Sequence, residues 1–292
     1  MIRIFRICFV AIIALNAPTA YAAVGQEQAI KQDAVRKINL AGRQRMLSQR
    51  MTKAACLARA GLDEAKYRKV AGSAAEEFTD VLAGLRVGDS ERGLLPENTE
   101  AILTSLTEVE TLWLAMHPLV QGASDGALSD TQFRSLHRQN VPLLKQMNAA
   151  VGAFERHKGE GLVHPELKVA INIAGRQRML SQKAAKELCM IHLGIYPDND
   201  RAALKHTIQQ FEAAMNDLID GNPDRGVLAA PNSDLGYALI SLQEIWDEKA
   251  APLLKSASEG GAFSADDVLA LAEVLEEVLF RANEIVWMYE AI

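Results

Sequence analysis

Apolar residues recur every three or four positions from Gln28 to Ala60, Asp63 to Arg86, Glu97 to Met116 and Ser129 to Arg156, with Gly- or Pro-containing breaks between. This period predicts four amphipathic helices. A second set of the same kind follows, its first helix opening near Pro165 and ending at Gly194, a proline in the first turn and a glycine past the last. Helices of this length joined by short connections pack as antiparallel bundles. The expected fold is all-α, with two tandem four-helix units.

A duplication underlies that repetition. Residues 38–49, Ile-Asn-Leu-Ala-Gly-Arg-Gln-Arg-Met-Leu-Ser-Gln, return at 171–182 with only Leu40 changed, to Ile173. The same offset of 133 pairs Cys56 with Cys189, Phe78 with Phe211, Arg92 with Arg225 and Trp113 with Trp246. After a small length change, Asn148 faces Asn283 and Phe154 faces Tyr289. The Gly-rich, charged stretch His157–Gly161 marks the join, so the units are expected at 23–158 and 159–292.

On a helical wheel Leu40, Leu47, Met51, Ala54 and Ala58 form one stripe, the expected core face. The other side carries Ile38, Gly42, Arg45, Gln49, Thr52 and Cys56, and the second copy Ile171, Gly175, Arg178, Gln182, Ala185 and Cys189. Their 4-3 rhythm is that of a helix-pairing seam. The expected partner of each copy is the other, about an approximate two-fold axis, with Gly42 and Gly175 allowing close approach. Parallel pairing would bring Arg43, Arg45 and Arg50 near Arg176, Arg178 and Lys183. Six converging cations are costly out of water unless something negative sits among them. A small oxyanion on the axis fits the planar guanidinium fork, and Asn39, Asn172, Gln49 and Gln182 offer amide donors. The alternative is that these cations lie on solvated faces or pair with acids from other helices.

Charge and cysteine content sharpen this. Residues 31–59 hold eight basic side chains and one acidic one, in a chain whose net charge is −6. Residues 1–22, with Arg3, Arg6, an apolar run and Ala20-Tyr21-Ala22, read as a secretory leader cleaved after Ala22. Loss of those two arginines makes the balance more acidic still, which disfavours a general nucleic-acid partner. No later run is long and apolar enough to span a bilayer. The expectation is an exported, periplasmic protein with no membrane span after the leader. Of three cysteines, Cys8 leaves with the leader. Parallel pairing would set Cys56 against Cys189 as a candidate disulfide, the alternative being two small buried thiols.

The run from Ile38 to Arg50 resembles the signature of the PilJ-type sensor domain of type IV pilus chemotaxis transducers, and is similar to the nitrate-sensing box of NarX-type sensor kinases. Both copies match. The resemblance implies a periplasmic four-helix sensor, in which some relatives bind nitrate or nitrite across paired first helices. It assigns contacts to Gly42 with Arg50 and to Gly175 with Lys183, the lysine being a departure because an ammonium cannot repeat a bidentate contact. Such relatives carry a transmembrane helix and a signalling module, and neither is read here. The expected action is therefore through a separate protein, such as a membrane-bound receptor or sensor kinase, or by sequestration. A second possibility is a ligand-free module docking onto such a receptor.

Other chemistry is weakly signalled. Gly122-Ala123-Ser124-Asp125-Gly126 spells a nucleophile elbow without the preceding strand that chemistry requires. No histidine has a Glu three residues before it, as di-iron bundles need. Trp113 and Trp246 read as core anchors, and His117 beside Pro118 as a residue near a helix end. No metal, cofactor or catalytic residue is expected.

Overall fold

The computed structural model describes the backbone of residues 17–292 and side chains from residue 25; the leader assigned to residues 1–22 therefore lies outside the fully described part. The first unit contains α1 (Ala17–Arg59), α2 (Glu64–Val87), α3 (Glu100–Ser124) and α4 (Asp130–His157). The second contains α5 (Pro165–Leu193), α6 (Pro197–Asp220), α7 (Ser233–Ile245), α8 (Ala251–Ser258) and α9 (Ala265–Glu290). No β-strand occurs among the described residues. The fold is all-α and built of two units, in agreement with the apolar periodicity.

The local chemistry of the helix ends repeats between units. Ser129 and Ser264 each form a capping box, with Gln132 and Asp267 respectively, at the start of α4 and α9. Trp113 packs on Phe78 with ring centroids 4.5 Å apart, and Trp246 on Phe211 at 3.7 Å. Both tryptophans are core residues.

Two helix boundaries differ from the sequence expectation. α3 runs through Pro118 to Ser124 instead of ending at Met116. Met116, Val120 and Ala123 are buried along its continuation, so packing outweighs the local disruption that a mid-helix proline causes. His117 thus lies inside the helix, its ring 5.0 Å from that of Trp113. In the second unit the matching stretch is divided by a π turn, Trp246–Ala250, between α7 and α8. Four residues separate Trp113 from Pro118 but five separate Trp246 from Pro252. The π turn takes up that extra residue, so that the helix beyond it keeps the register of the first unit.

α1 and α5 form the centre of the molecule. They pack along each other, α1 also against α2, α4 and α9, and α5 against α6 and α9. From Asp33 to Ala58 almost every α1 position is buried, polar ones included. The stripe read as a single core face is therefore one side of a helix covered all round. Cys56 and Cys189 are joined by a disulfide, with Cα atoms 6.1 Å apart, and with the contacts of Arg45 to Asn172 and of Arg178 to Asn39 this sets the two helices parallel and in register.

Candidate ligand-binding site

Three turns from the disulfide, the duplicated motif makes reciprocal contacts across the α1/α5 seam. Arg45 Nη2 donates to the Asn172 carbonyl at 3.2 Å, and Arg178 Nη2 to the Asn39 carbonyl at 3.3 Å. Arg45 Nη1 donates to Asn148 Oδ1 at 3.2 Å, and Arg178 Nη1 to Asn283 Oδ1 at 3.3 Å. Each arginine thus bridges the opposite motif helix and the last helix of its own unit. Arg178 adds a bond from Nε to the Gly175 carbonyl at 3.4 Å, whereas Nε of Arg45 is buried without a partner.

The glycines make room for the guanidinium tips. A Cβ on Gly42 would stand 3.3 Å from Arg45 Nη2 and 3.4 Å from Arg178 Nη2, and one on Gly175 would stand 3.0 Å from Arg178 Nη2. Both cations therefore converge over the same short stretch of backbone. Each residue is only 1% exposed, and all their hydrogen-bond acceptors are neutral. Burial, aided by Arg176 and Arg178, lowers the pKa of Arg45 to about 9. Burial and Arg43 lower that of Arg178 to about 10.

Carboxylates stand one layer back. Asn172 Nδ2 donates to Glu155 Oε2 at 2.7 Å, and Asn39 Nδ2 to Glu290 Oε1 at 2.9 Å. The two acids occupy matching places in α4 and α9. Burial holds the Glu290 carboxyl above its ordinary range. A surface depression of about 270 Å³ is lined by Asn39, Arg43 and Glu290 among others, without Arg45 or Arg178 in its wall.

The convergence of six cations is not what forms. Arg43 pairs with Glu77 at 2.6 Å. Arg50 is held bidentately by Glu276 of α9 at 2.7 and 3.0 Å, with Lys53 on the same carboxylate. Lys183 turns to Glu187 at 2.6 Å and Thr207 at 2.5 Å. Gln49 accepts from the buried Lys186 at 2.9 Å, and Gln182 reaches the Leu275 carbonyl at 3.5 Å. Arg176 stays half-buried near Arg225 and Glu155. Carboxylates neutralise Arg43 and Arg50 from neighbouring helices and Lys183 from its own helix, while Arg45 and Arg178 stand face to face without an ion pair. Arg50 and Lys183, which the resemblance pairs with Gly42 and Gly175 as ligand contacts, are each engaged by a protein acid in this structure.

Asn148, Asn283, Glu155 and Glu290 were not singled out as site residues from sequence. The signal was present, since each pair matches at an offset of 135.

The family model for the type IV pili methyl-accepting chemotaxis transducer N-terminal domain, PilJ, matches residues 30–139 and again residues 166–271. The chain belongs to the PilJ family. Each match contains one copy of the motif, so two PilJ units face each other through Arg45 and Arg178. The chain is also similar to the methyl-accepting chemotaxis protein McpN of Pseudomonas aeruginosa, with 33% identity over 121 residues, or 41% of this chain and 22% of that protein. It spans about a fifth of the length of that relative. No solved structure matches the chain. PilJ membership makes this a signalling-related helical domain of a non-catalytic sensor family. Among the described residues no helix is long and apolar enough to cross a membrane.

Proposed function

We propose that this protein is a periplasmic sensor that binds one small planar oxyanion, nitrate or nitrite, between α1 and α5, with Arg45 and Arg178 as its two guanidinium forks. The observation that carries this reading is the pair of buried arginines facing each other with only neutral hydrogen-bond partners. Two like charges held out of water are costly, and an anion between them turns mutual repulsion into two attractions. Each guanidinium has five donors, of which Arg45 uses two and Arg178 three on protein acceptors. The unused donors suit a flat, multiply accepting ion.

On this reading residues 1–22 direct export, and 23–158 and 159–292 are the two PilJ units, each supplying half of the site. Anion binding would draw α1 and α5 together, and the change would pass to a separate signalling protein. A thermal-shift screen followed by calorimetry with nitrate and nitrite tests this. A ligand at 100 times its dissociation constant adds about 2.7 kcal/mol of stability. Arg45→Ala and Arg178→Ala should each lose the response, while Arg50→Ala, which breaks a pair with Glu276, should keep it. Absence of any shift with the parent protein would refute the reading.

A further inference from the structure

The cleft at the end of the bundle just beyond the disulfide has no part in the anion site. It measures about 550 Å³ and is enclosed by the end of α1, the starts of α2 and α4, the end of α3 and the end of α5. Its volume falls in the range of small-ligand pockets, about 300–1,000 Å³. Its lining is mixed, and Ala58, Leu128, Phe133, Leu193 and Ile195 supply the apolar part. Three guanidinium groups surround it, those of Arg59, Arg68 and Arg134.

We propose that this cleft binds a small organic carboxylate, its hydrocarbon or aromatic body on the apolar part of the lining and its carboxylate among Arg59, Arg68 and Arg134.

Two observations support the assignment. The first is the state of the arginines. Arg59 pairs with Asp130 and Arg68 with Glu64, but in both pairs the acid is at least half exposed. Such surface pairs contribute about 0–1 kcal/mol, so either guanidinium can turn to a ligand at little cost. Arg134 stands with its guanidinium 5.6 Å from the Tyr196 ring centre, and Arg59 lies over Phe133 at 5.0 Å. Cationic and aromatic groups are thus already interleaved, as an amphipathic anion requires. An inorganic oxyanion would leave the apolar part uncovered, which favours a carboxylate with a carbon skeleton.

The second observation comes from the duplication. At the matching positions of the second unit, Arg59 becomes His192, Glu64 becomes Pro197, Asp130 becomes Ala265, Phe133 becomes Val268 and Arg134 becomes Leu269. The motif helices repeat almost letter for letter, and Arg68 is kept as Arg201, but the other rim positions differ. The first unit holds Arg59, Phe133 and Arg134 where the second holds a histidine and two aliphatic residues. The cleft is also completed by Leu193 and Ile195 from the second unit, so an occupant would touch both halves beyond the disulfide.

The test uses the full mature chain with benzoate and hexanoate as probes and benzamide as the uncharged control, read by calorimetry and by amide chemical shifts. Benzoate and hexanoate should bind and perturb Ala58, Leu193 and Ile195, and benzamide should bind at least tenfold more weakly. Arg134→Leu, which installs the residue of the second unit, and Arg59→Ala should each weaken benzoate binding tenfold or more. Both variants should keep the nitrate response, whereas Arg45→Ala should keep benzoate binding. Because Arg59 and Arg134 are exposed, unchanged melting temperatures are expected, and circular dichroism verifies them. Failure of both carboxylates to bind at millimolar concentration, or equal binding by parent and variants, would overturn the proposal without touching the reading of the Arg45/Arg178 site.

Discussion

Arg45 and Arg178 carry a desolvation cost that Glu155 and Glu290, one layer back and not bonded to them, offset only in part. A buried charge without an ion-pair partner pays a desolvation penalty, and an apolar side chain of similar length removes that penalty together with the repulsion from Arg178. Arg45→Met should therefore melt at or above the parent temperature in anion-free buffer while losing its response to nitrate, a trade of function for stability. Lys186 offers a second test. Its ammonium is buried, bonded only to Gln49 Oε1 at 2.9 Å and Asn140 Oδ1 at 2.8 Å, and burial lowers its pKa to about 8. An unfolded lysine keeps its proton to about 10.4. Between these values the unfolded chain binds more protons, so this group makes stability rise with pH. Denaturant melts at pH 7.5 and pH 10 should show the parent gaining about 1 kcal/mol or more relative to Lys186→Met over that interval; an unchanged difference would refute the argument. These residues also mark what sequence could and could not resolve. The motif and its repetition pointed to the seam and to a basic cluster within it. They could not choose Arg45 over Arg50, because a wheel separates an apolar face from a polar one and α1 is buried on nearly every side. The choice rests on acids distant in sequence, Glu276 above all, which claim Arg50 and Lys53.

At the scale of the element, helical period located every long helix but misjudged continuity. The proline at 118 read as a stop, yet α3 passes through it because its buried face continues for two more turns. The π turn at Trp246–Ala250 left no trace in the apolar pattern. It was legible only by comparing the two copies, as one extra residue between tryptophan and proline. Deleting Ala250 should convert that turn to regular α-helix and restore the first unit's spacing. The deletion should retain parental helicity and cost about 1–2 kcal/mol at most. Deleting Leu112 from α3, where no extra residue exists to absorb it, should rotate the rest of the helix by about 100° and unfold the unit. Circular dichroism melts of the two variants decide the point, and equal damage from both would contradict it.

Across the whole molecule, the two units are held by the α1/α5 pair, by Glu276 reaching from α9 to α1, and by a disulfide closing 133 residues of chain. A crosslink of native geometry typically adds about 2–4 kcal/mol. Protein of residues 23–292 denatured without reductant should titrate no free thiol, and reduction should lower its melting temperature by several degrees. Two free thiols in the oxidised protein would contradict the bond. Cys56→Ser should reproduce the loss seen on reduction. The domain-scale plan was the part most legible in sequence, since the repeated motif named α1 and α5 as partners, although it left their direction of pairing open. The side chains that stitch the units together were not, because acids such as Glu276 and Glu273 lie on the last helix, more than 200 residues from the α1 and α2 groups they meet.

Both halves of the Arg45/Arg178 site lie on one polypeptide, which fixes their mutual effective concentration by covalent connection and not by how much protein is present. Dilution cannot separate them. The dose–response curve of such a receptor should stay in place when its abundance changes a hundredfold, whereas a site assembled from two free subunits would shift as they dissociate. On the proposed reading, covalent tandem arrangement makes the readout a measure of ligand alone, and it frees each half to mutate without imposing the same change on the other.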